Sequence, residues 1–386
     1  MSHLTSAKLL ARRQNALKKS RYQLGTTLVE WMVSIAIGLI LLMGLVVMFS
    51  EQSKAQSELE KSSRQIENGR YAMQLLSDDL QMAGYYGEFS DVASLASPAS
   101  LPDPCSTTVS NLDAAVAFPV QGYAAPATTT GILSCISDAN HVPGTDILVV
   151  RRADATSWTV AQVASTDPKG QVYLQTGLTV AGQFAKKMGV GFGTNASTPF
   201  ASQPVFNLQT QAKAGTPTTA AIAAKAAPLR KFLVHIYFIS PCSVMTGGSC
   251  TSTSDGGKPI PTLKMVELSA SGNTTTLTTT PLVEGIERMQ IDYGLDSTGD
   301  GAPDSYTRTP AGWRDVMALQ VYLLARNNES SNNYLDKKSY NLGIWGTAAA
   351  PSAAASGAKP LTGNQFKRKV FSQQIRLINP SARRDQ

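Results

Sequence analysis

The chain has 386 residues, enough for one large domain or two modest ones, and its 42% hydrophobic content allows a real core. The formal charge of +7 belongs to the N-terminus: residues 1–25 hold Lys8, Arg12, Arg13, Lys18, Lys19 and Arg21 and no acid, which leaves 28 basic against 27 acidic residues in the rest. A near-neutral bulk argues against nucleic-acid binding, which wants a basic face on the folded domain.

The first predicted element is apolar. Leu28–Phe49 is 22 residues with one charge, Glu30. As a helix it spans roughly 33 Å, enough for a bilayer core. Six basic residues precede it, so the positive-inside rule places residues 1–25 in the cytoplasm and the bulk outside. No small-residue cleavage site follows in VVMFSEQSKAQ, so the segment reads as retained. A carboxylate in the apolar layer costs on the order of 2.5–3.5 kcal/mol and is a functional hypothesis by default. The plainer alternative is a chance acid at the membrane edge.

The surroundings of Glu30 favour function. LGTTLVEWMVSIAIG resembles the class III signal of type IV prepilins, in which a basic leader ends in Gly and an apolar helix carries Glu at its fifth position. The resemblance implies cleavage between Gly25 and Thr26 by the prepilin peptidase, N-methylation at Thr26, and an assembly role for Glu30. In that family the glutamate is thought to pair with the N-terminal amine of a neighbouring subunit. A buried carboxylate is tolerable when a cation neutralises it. Thr26 stands where Phe or Met is usual, and Trp31 where Leu is common.

The helix is expected to continue through residues 51–83, which contain no proline. Ala55, Leu59, Ser62, Ile66, Gly69, Met73, Leu76, Leu80 and Ala83 follow a 4,3 spacing, one helical face that should pack on a sheet. Gly84 and Gly87 end it. QIENGRYAMQLLSDDLQMAGYYG resembles the helix end of PilW-type minor pilins through Glu67, Asn68, Gly69, Arg70, Tyr71, Ala72, Asp79, Leu80, Ala83, Gly84 and Tyr85. LVEGIERMQIDYGLDSTGDGAPDSY and KRKVFSQQIRLINP are similar to the same family.

Residues 90–140, rich in Ala, Ser, Thr and Pro, read as a long surface loop. Strands are predicted at Asp146–Arg152, Trp158–Val163, Val172–Gln175, Phe232–Ser240, Leu263–Leu268, Met289–Tyr293, Val316–Ala325 and Val370–Leu377. Ala/Thr-rich stretches near 209–228 and 347–359 read as flexible insertions. The expected fold is α+β and pilin-like: a long N-terminal helix on a mainly antiparallel head. The expected organisation is a leader at 1–25, a transmembrane half-helix at 26–50, an amphipathic half-helix at 51–84 and a head at 85–386.

Cys105, Cys135, Cys242 and Cys250 all follow the apolar segment, and an even count there suggests two disulfides. Three pairings exist. The local one, Cys105 with Cys135 and Cys242 with Cys250, is favoured because SVMTGGS can turn at Gly247-Gly248. In LDSTGDGAPDSY, Asp296, Thr298, Asp300 and Asp304 take positions 1, 3, 5 and 9 of an EF-hand-like loop, which suits Ca²⁺, although Thr307 stands where a bidentate Glu belongs. The plainer reading is a polar Gly-rich turn. No required cofactor is expected.

An enzyme is not expected. The three histidines are His3, His141 and His235; no GxSxG, HExxH or P-loop occurs, and GVGFGTN at 189–195 lacks a following helix signal. The resemblance implies a minor pilin of the inner membrane that joins other minor pilins and the major pilin in a priming complex. It implies a head in the periplasm, then a place at the pilus tip beside a PilY-type adhesin. The alternatives are a type II secretion pseudopilin and a tip module that binds a surface or DNA.

Overall fold

The computed structural model describes residues 25, 27–87, 95, 98, 100–165, 168–179, 183–190, 206–210, 226–349, 359–361 and 363–382. The leader, Thr26 and most of both Ala/Thr-rich stretches lie outside them. The chain divides into two compact units, residues 1–59 and 60–386.

The first unit holds the start of helix α1, Leu28–Gln81. Thr27 opens it: the Glu30 amide donates to Thr27 Oγ1 at 3.3 Å and to the Thr27 carbonyl at 3.0 Å. That is the N-terminal half of a capping box, with Thr at the cap and Glu three residues on. From Leu28 onward the apolar side chains are exposed on every side: Leu28, Trp31, Ile40 and Phe49 are all more than 60% exposed. The most apolar window has a mean hydropathy of 2.8, long and apolar enough to cross a membrane.

The second unit takes up the helix from Glu60 and lays it across two sheets. Its chain order is α2 Val109–Ala115, β1 Val120–Tyr123, β2 Ile147–Ala153, α3 Val160–Ser165, β3 Val172–Leu178, β4 Phe184–Val190 and β5 Leu229–Ser240. Then come β6 Thr262–Ser271, β7 Thr274–Glu284, β8 Ile286–Leu295, β9 Ser305–Thr307 and β10 Val316–Arg326. Last are β11 Ser339–Asn341, β12 Thr347–Ala349, β13 Lys359–Pro360, β14 Arg368–Arg376 and α4 Ile378–Ala382.

A seven-stranded sheet runs β1-β2-β5-β3-β4, with β6 also on β5 and β7 on β6; a four-stranded sheet runs β14-β10-β8-β9. Both are antiparallel throughout. In the small sheet β11-β12-β13 the β12–β13 pair is parallel. The α+β, mainly antiparallel expectation therefore holds.

Alternation sets the layers. Leu148 and Val150 of β2 join Leu76, Leu80 and both sheets in the main core, while Ile147 and Val149 pack on the far side with Leu112 and Val116. Both faces of β2 are buried, which is why ILVV reads as a continuous apolar run. Likewise Leu323 faces the helix, and Leu324 faces the cluster of Tyr340, Leu342 and Trp345.

Several expectations are corrected. Trp158–Val163 is not a strand. Trp158 makes one bridge to Leu229, and α3 follows, because Thr159 and Gln162 cap each other. The stretch 90–140 is not all loop: it contains α2 and β1. Thr347–Ala349 is a strand with Ala348 and Ala349 buried, so that end of the second Ala-rich stretch belongs to the core. Of GVGFGTN, Gly189 and Val190 end β4 and the rest lies outside the described residues. On the helix seam Leu59 is exposed, while Gly69, Met73, Leu76, Leu80 and Ala83 are buried.

Gly69 is required by packing. A Cβ at this position would collide with the Phe371 ring of β14. Gly69→Val should therefore destabilise the head by about 1–3 kcal/mol through overpacking, more than a better helix former returns. Thermal denaturation of the full-length chain in detergent micelles reads this, and an unchanged midpoint would refute it.

Candidate functional site

Polar features lie at both ends of α1. At the N-terminal end Gly25 and Glu30 are exposed, and among the described residues no hydrogen bond or ion pair engages the Glu30 carboxylate. Its backbone is engaged instead: Ser34 Oγ donates to the Glu30 carbonyl at 2.7 Å. Thr26 lies outside the described residues.

At the other end, residues of the quoted ENGRYA…DL…AGY stretch separate by face. Glu67, Arg70 and Tyr71 are exposed. Gly69, Ala72, Asp79, Leu80, Ala83 and Gly84 are buried. The inward polar groups pin the helix to strands. Gln65 Nε2 donates to the carbonyls of Ala325 on β10 at 2.7 Å and Lys367 at 2.9 Å. Asn68 Nδ2 donates to the Glu284 carbonyl at 3.1 Å, and the Gly84 amide to the Arg151 carbonyl at 2.9 Å.

Asp79 is the centre of this anchor. Its Oδ1 accepts from Arg152 Nε at 2.7 Å, and its Oδ2 accepts from His235 Nδ1 and Tyr237 Oη, both at 2.8 Å. Glu267 Oε1 stands 3.9 Å from His235 Nε2. Burial pushes the Asp79 carboxyl up, but the bonds from His235 and Arg152 outweigh it and hold the pKa down to about 2. For His235 burial pushes the other way, yet Asp79 and Glu267 raise it to about 9. The result is a buried ion cluster, charged at neutral pH, joining α1 to β2 and β5.

A second buried cluster sits in the four-stranded sheet. Arg368 donates to both oxygens of Glu287, from Nε at 2.6 Å and from Nη2 at 3.3 Å, and from Nη1 to Asp336 Oδ2 at 2.8 Å. Asp336 also accepts from Tyr340 Oη at 3.1 Å. The side chains of Arg368 and Asp336 are fully buried.

Neither cluster was expected from sequence. The available signal was a charge inside an apolar strand: Arg151-Arg152 in ILVVRRA, His235 in FLVHIYFIS, Arg368 in KRKVF. Such residues are almost never buried unless paired, but the partners are far away in sequence.

The four cysteines form two disulfides, Cys105–Cys135 and Cys242–Cys250, each with Cα atoms 5.5 Å apart. In the Asp-rich loop, Asp304 Oδ2 accepts from the Ser297 and Thr298 amides at 2.7 and 3.0 Å. Asp296 accepts from the Gly299 and Gly301 amides at 2.6 and 2.9 Å, and Asp300 from the Ala302 amide at 2.9 Å. These carboxylates serve the turn. Among the described residues there is no group of three or more His, Cys, Asp or Glu that could hold a metal ion.

Residues 246–379 match the family Type IV Pilus-assembly protein W, and residues 20–46 match the Prokaryotic N-terminal methylation motif. The comparisons with curated proteins and with solved structures gave no match. The first match spans β6 to β14, with the Arg368 cluster inside it; the second spans the leader end, Gly25, Glu30 and the exposed apolar turns. An apolar helix and an antiparallel head, with one match at each end of the chain, support a PilW-type type IV pilin with a class III prepilin signal.

Proposed function

We propose that this minor pilin primes pilus assembly. It is cleaved after Gly25 by the prepilin peptidase, is methylated at Thr26, and joins other minor pilins and the major pilin through its apolar helix. Its head lies in the periplasm and then at the pilus tip, beside a PilY-type adhesin. The role is structural. The observation that carries the reading is the exposed apolar helix with a single carboxylate, Glu30, in its first turn. An acid in an apolar layer costs on the order of 2.5–3.5 kcal/mol, and a neighbour's amine removes that cost in one register only.

The test is a clean deletion in the native host, scored for sheared surface pili and for exoprotein secretion in the same cultures. Complementation with wild type should restore pili; Glu30→Ala, at normal level and processing, should not. Loss of secretion with pili unchanged would make the chain a secretion pseudopilin instead. Neither defect would remove the priming role.

A further inference from the structure

A cleft of about 360 Å³ opens on the head. Its walls are Pro143, Pro241, Pro259 and Pro261 with Val142, and its floor is Glu287, Arg288 and Arg326. The volume is at the small end of ligand sites. It suits one charged side chain with an apolar neighbour.

The walls are fixed before anything binds. Asp255 accepts the amides of Ser243, Val244 and Ile260 at 2.9, 2.7 and 2.9 Å, which clamps the disulfide hairpin to the segment that leads into β6. The Cys242–Cys250 bond closes that hairpin beside Pro241. The Gly285 amide donates to the Pro261 carbonyl at 2.7 Å, and the Val142 amide to the Ile239 carbonyl at 2.8 Å. Proline fixes φ, so four such walls lose little freedom on binding.

The walls also set the chemistry. Proline has no N–H, so the rings offer contact area and no donor. Donors come from the floor. Arg326 is 6% exposed, lies 4.0 Å over the Phe366 ring, and its Nε is buried with no partner; its Nη2 donates to the Pro259 carbonyl at a long 3.5 Å. Arg288 reaches the Pro143 carbonyl at 3.1 Å. The acid on the floor, Glu287, is engaged by Arg368 at 2.6 and 3.3 Å. His141 is buried, and burial holds its pKa down to about 4, so it is neutral. Burial lowers the pKa of both Arg288 and Arg326 and outweighs the opposing pull of the Glu287 charge, the mark of guanidinium charge short of solvent. An anion with an apolar body would offset that desolvation, and guanidinium favours carboxylate.

We propose that this cleft docks an acidic side chain carried on an apolar extended segment of a partner protein. Charge complementarity chooses the occupant: two desolvated guanidinium groups face a pocket whose own acid is already taken.

The test is calorimetry on the full-length chain in detergent micelles with the peptide acetyl-Leu-Asp-Leu-amide. Its neutral twin, acetyl-Leu-Asn-Leu-amide, and sodium acetate are the controls. The Asp peptide should bind about ten- to a hundredfold tighter than the Asn twin. Arg326→Gln should remove that margin. Val142→Glu, which supplies a carboxylate from the wall and leaves both guanidinium groups in place, should block the peptide, and it decides the matter if Arg326→Gln does not fold. Equal binding of the twins, no binding of the Asp peptide at about 1 mM, or binding indifferent to both substitutions would overturn the proposal. Acetate binding as tightly as the peptide would reduce the cleft to a small-anion site and overturn the docking role.

Discussion

Arg368→Ala should destabilise the head by about 3–5 kcal/mol, because it strands two buried carboxylates at once. Glu287 and Asp336 both face the guanidinium, and their side chains are 5% and 0% exposed. Neither can reach water without opening the sheet. Through Glu287 and Asp336, Arg368 ties β14 to β8 and to the connection before β11, and it also donates to the Gly363 carbonyl, just before β14, at 3.0 Å. Denaturant unfolding of the full-length chain in micelles reads the loss. A second variant separates charge from shape. Arg368→Met combined with Glu287→Gln and Asp336→Asn removes every charge while keeping volume, and it should cost far less than Arg368→Ala. If Arg368→Ala shifts stability by less than about 1 kcal/mol, the cluster is not a buried ionic tie.

Asp79→Ala should cost a similar amount, about 3–5 kcal/mol, and should also change how stability depends on pH. The His235 pKa is raised to about 9 from 6.5, so its contribution is complete below 6.5 and is lost as pH rises through 9. That shift corresponds to on the order of 3 kcal/mol. The Asp79 pKa is lowered to about 2 from 3.8, so its contribution is complete above 3.8 and fades as pH falls through 2. The alkaline arm is the one to measure. Asp146, pushed up to about 6 by burial against the pull of Arg308, and His141, held down to about 4 by burial, have finished titrating below it. Wild type should lose stability between pH 6.5 and 9, and Asp79→Ala, which leaves only Glu267 beside His235, should lose much less. A slope that persists undiminished in the variant would show that His235 draws its charge from another group.

Much of this was legible in the residues. The 4,3 spacing from Gly69 to Ala83 marked the buried helix face correctly, because helix burial has a short period that sequence displays directly. The strands rich in Val, Ile and Leu were legible for the same reason. β7, TTTLTTTPLVE, was missed, since its threonines lie on a half-exposed outer strand and show no apolar alternation. β4, FAKKMGV, was missed because its lysines interrupt the pattern; Lys186 reaches Asp113 on α2 at 2.5 Å. Gly69 stands on the apolar seam without a side chain, and only the position of Phe371, some three hundred residues along, explains it. At the candidate site the split is similar. Gly25 and Glu30 announce themselves by local spacing. Asp79, His235, Arg152 and Arg368 do not, because the pairings that make their burial tolerable are contacts at long range.

The anchor at the end of α1 has a mechanical side. Gln65 is bonded to the backbone beside β10 and β14, Asp79 to side chains of β2 and β5, and the Gly84 amide to the backbone of β2. None of these ties ends on a free loop. Tension applied along the last turns of the helix is therefore met by both sheets together, in shear across their ladders. The ties share the load instead of yielding one after another, so the head should hold rigidly up to a threshold and then give way in a single step.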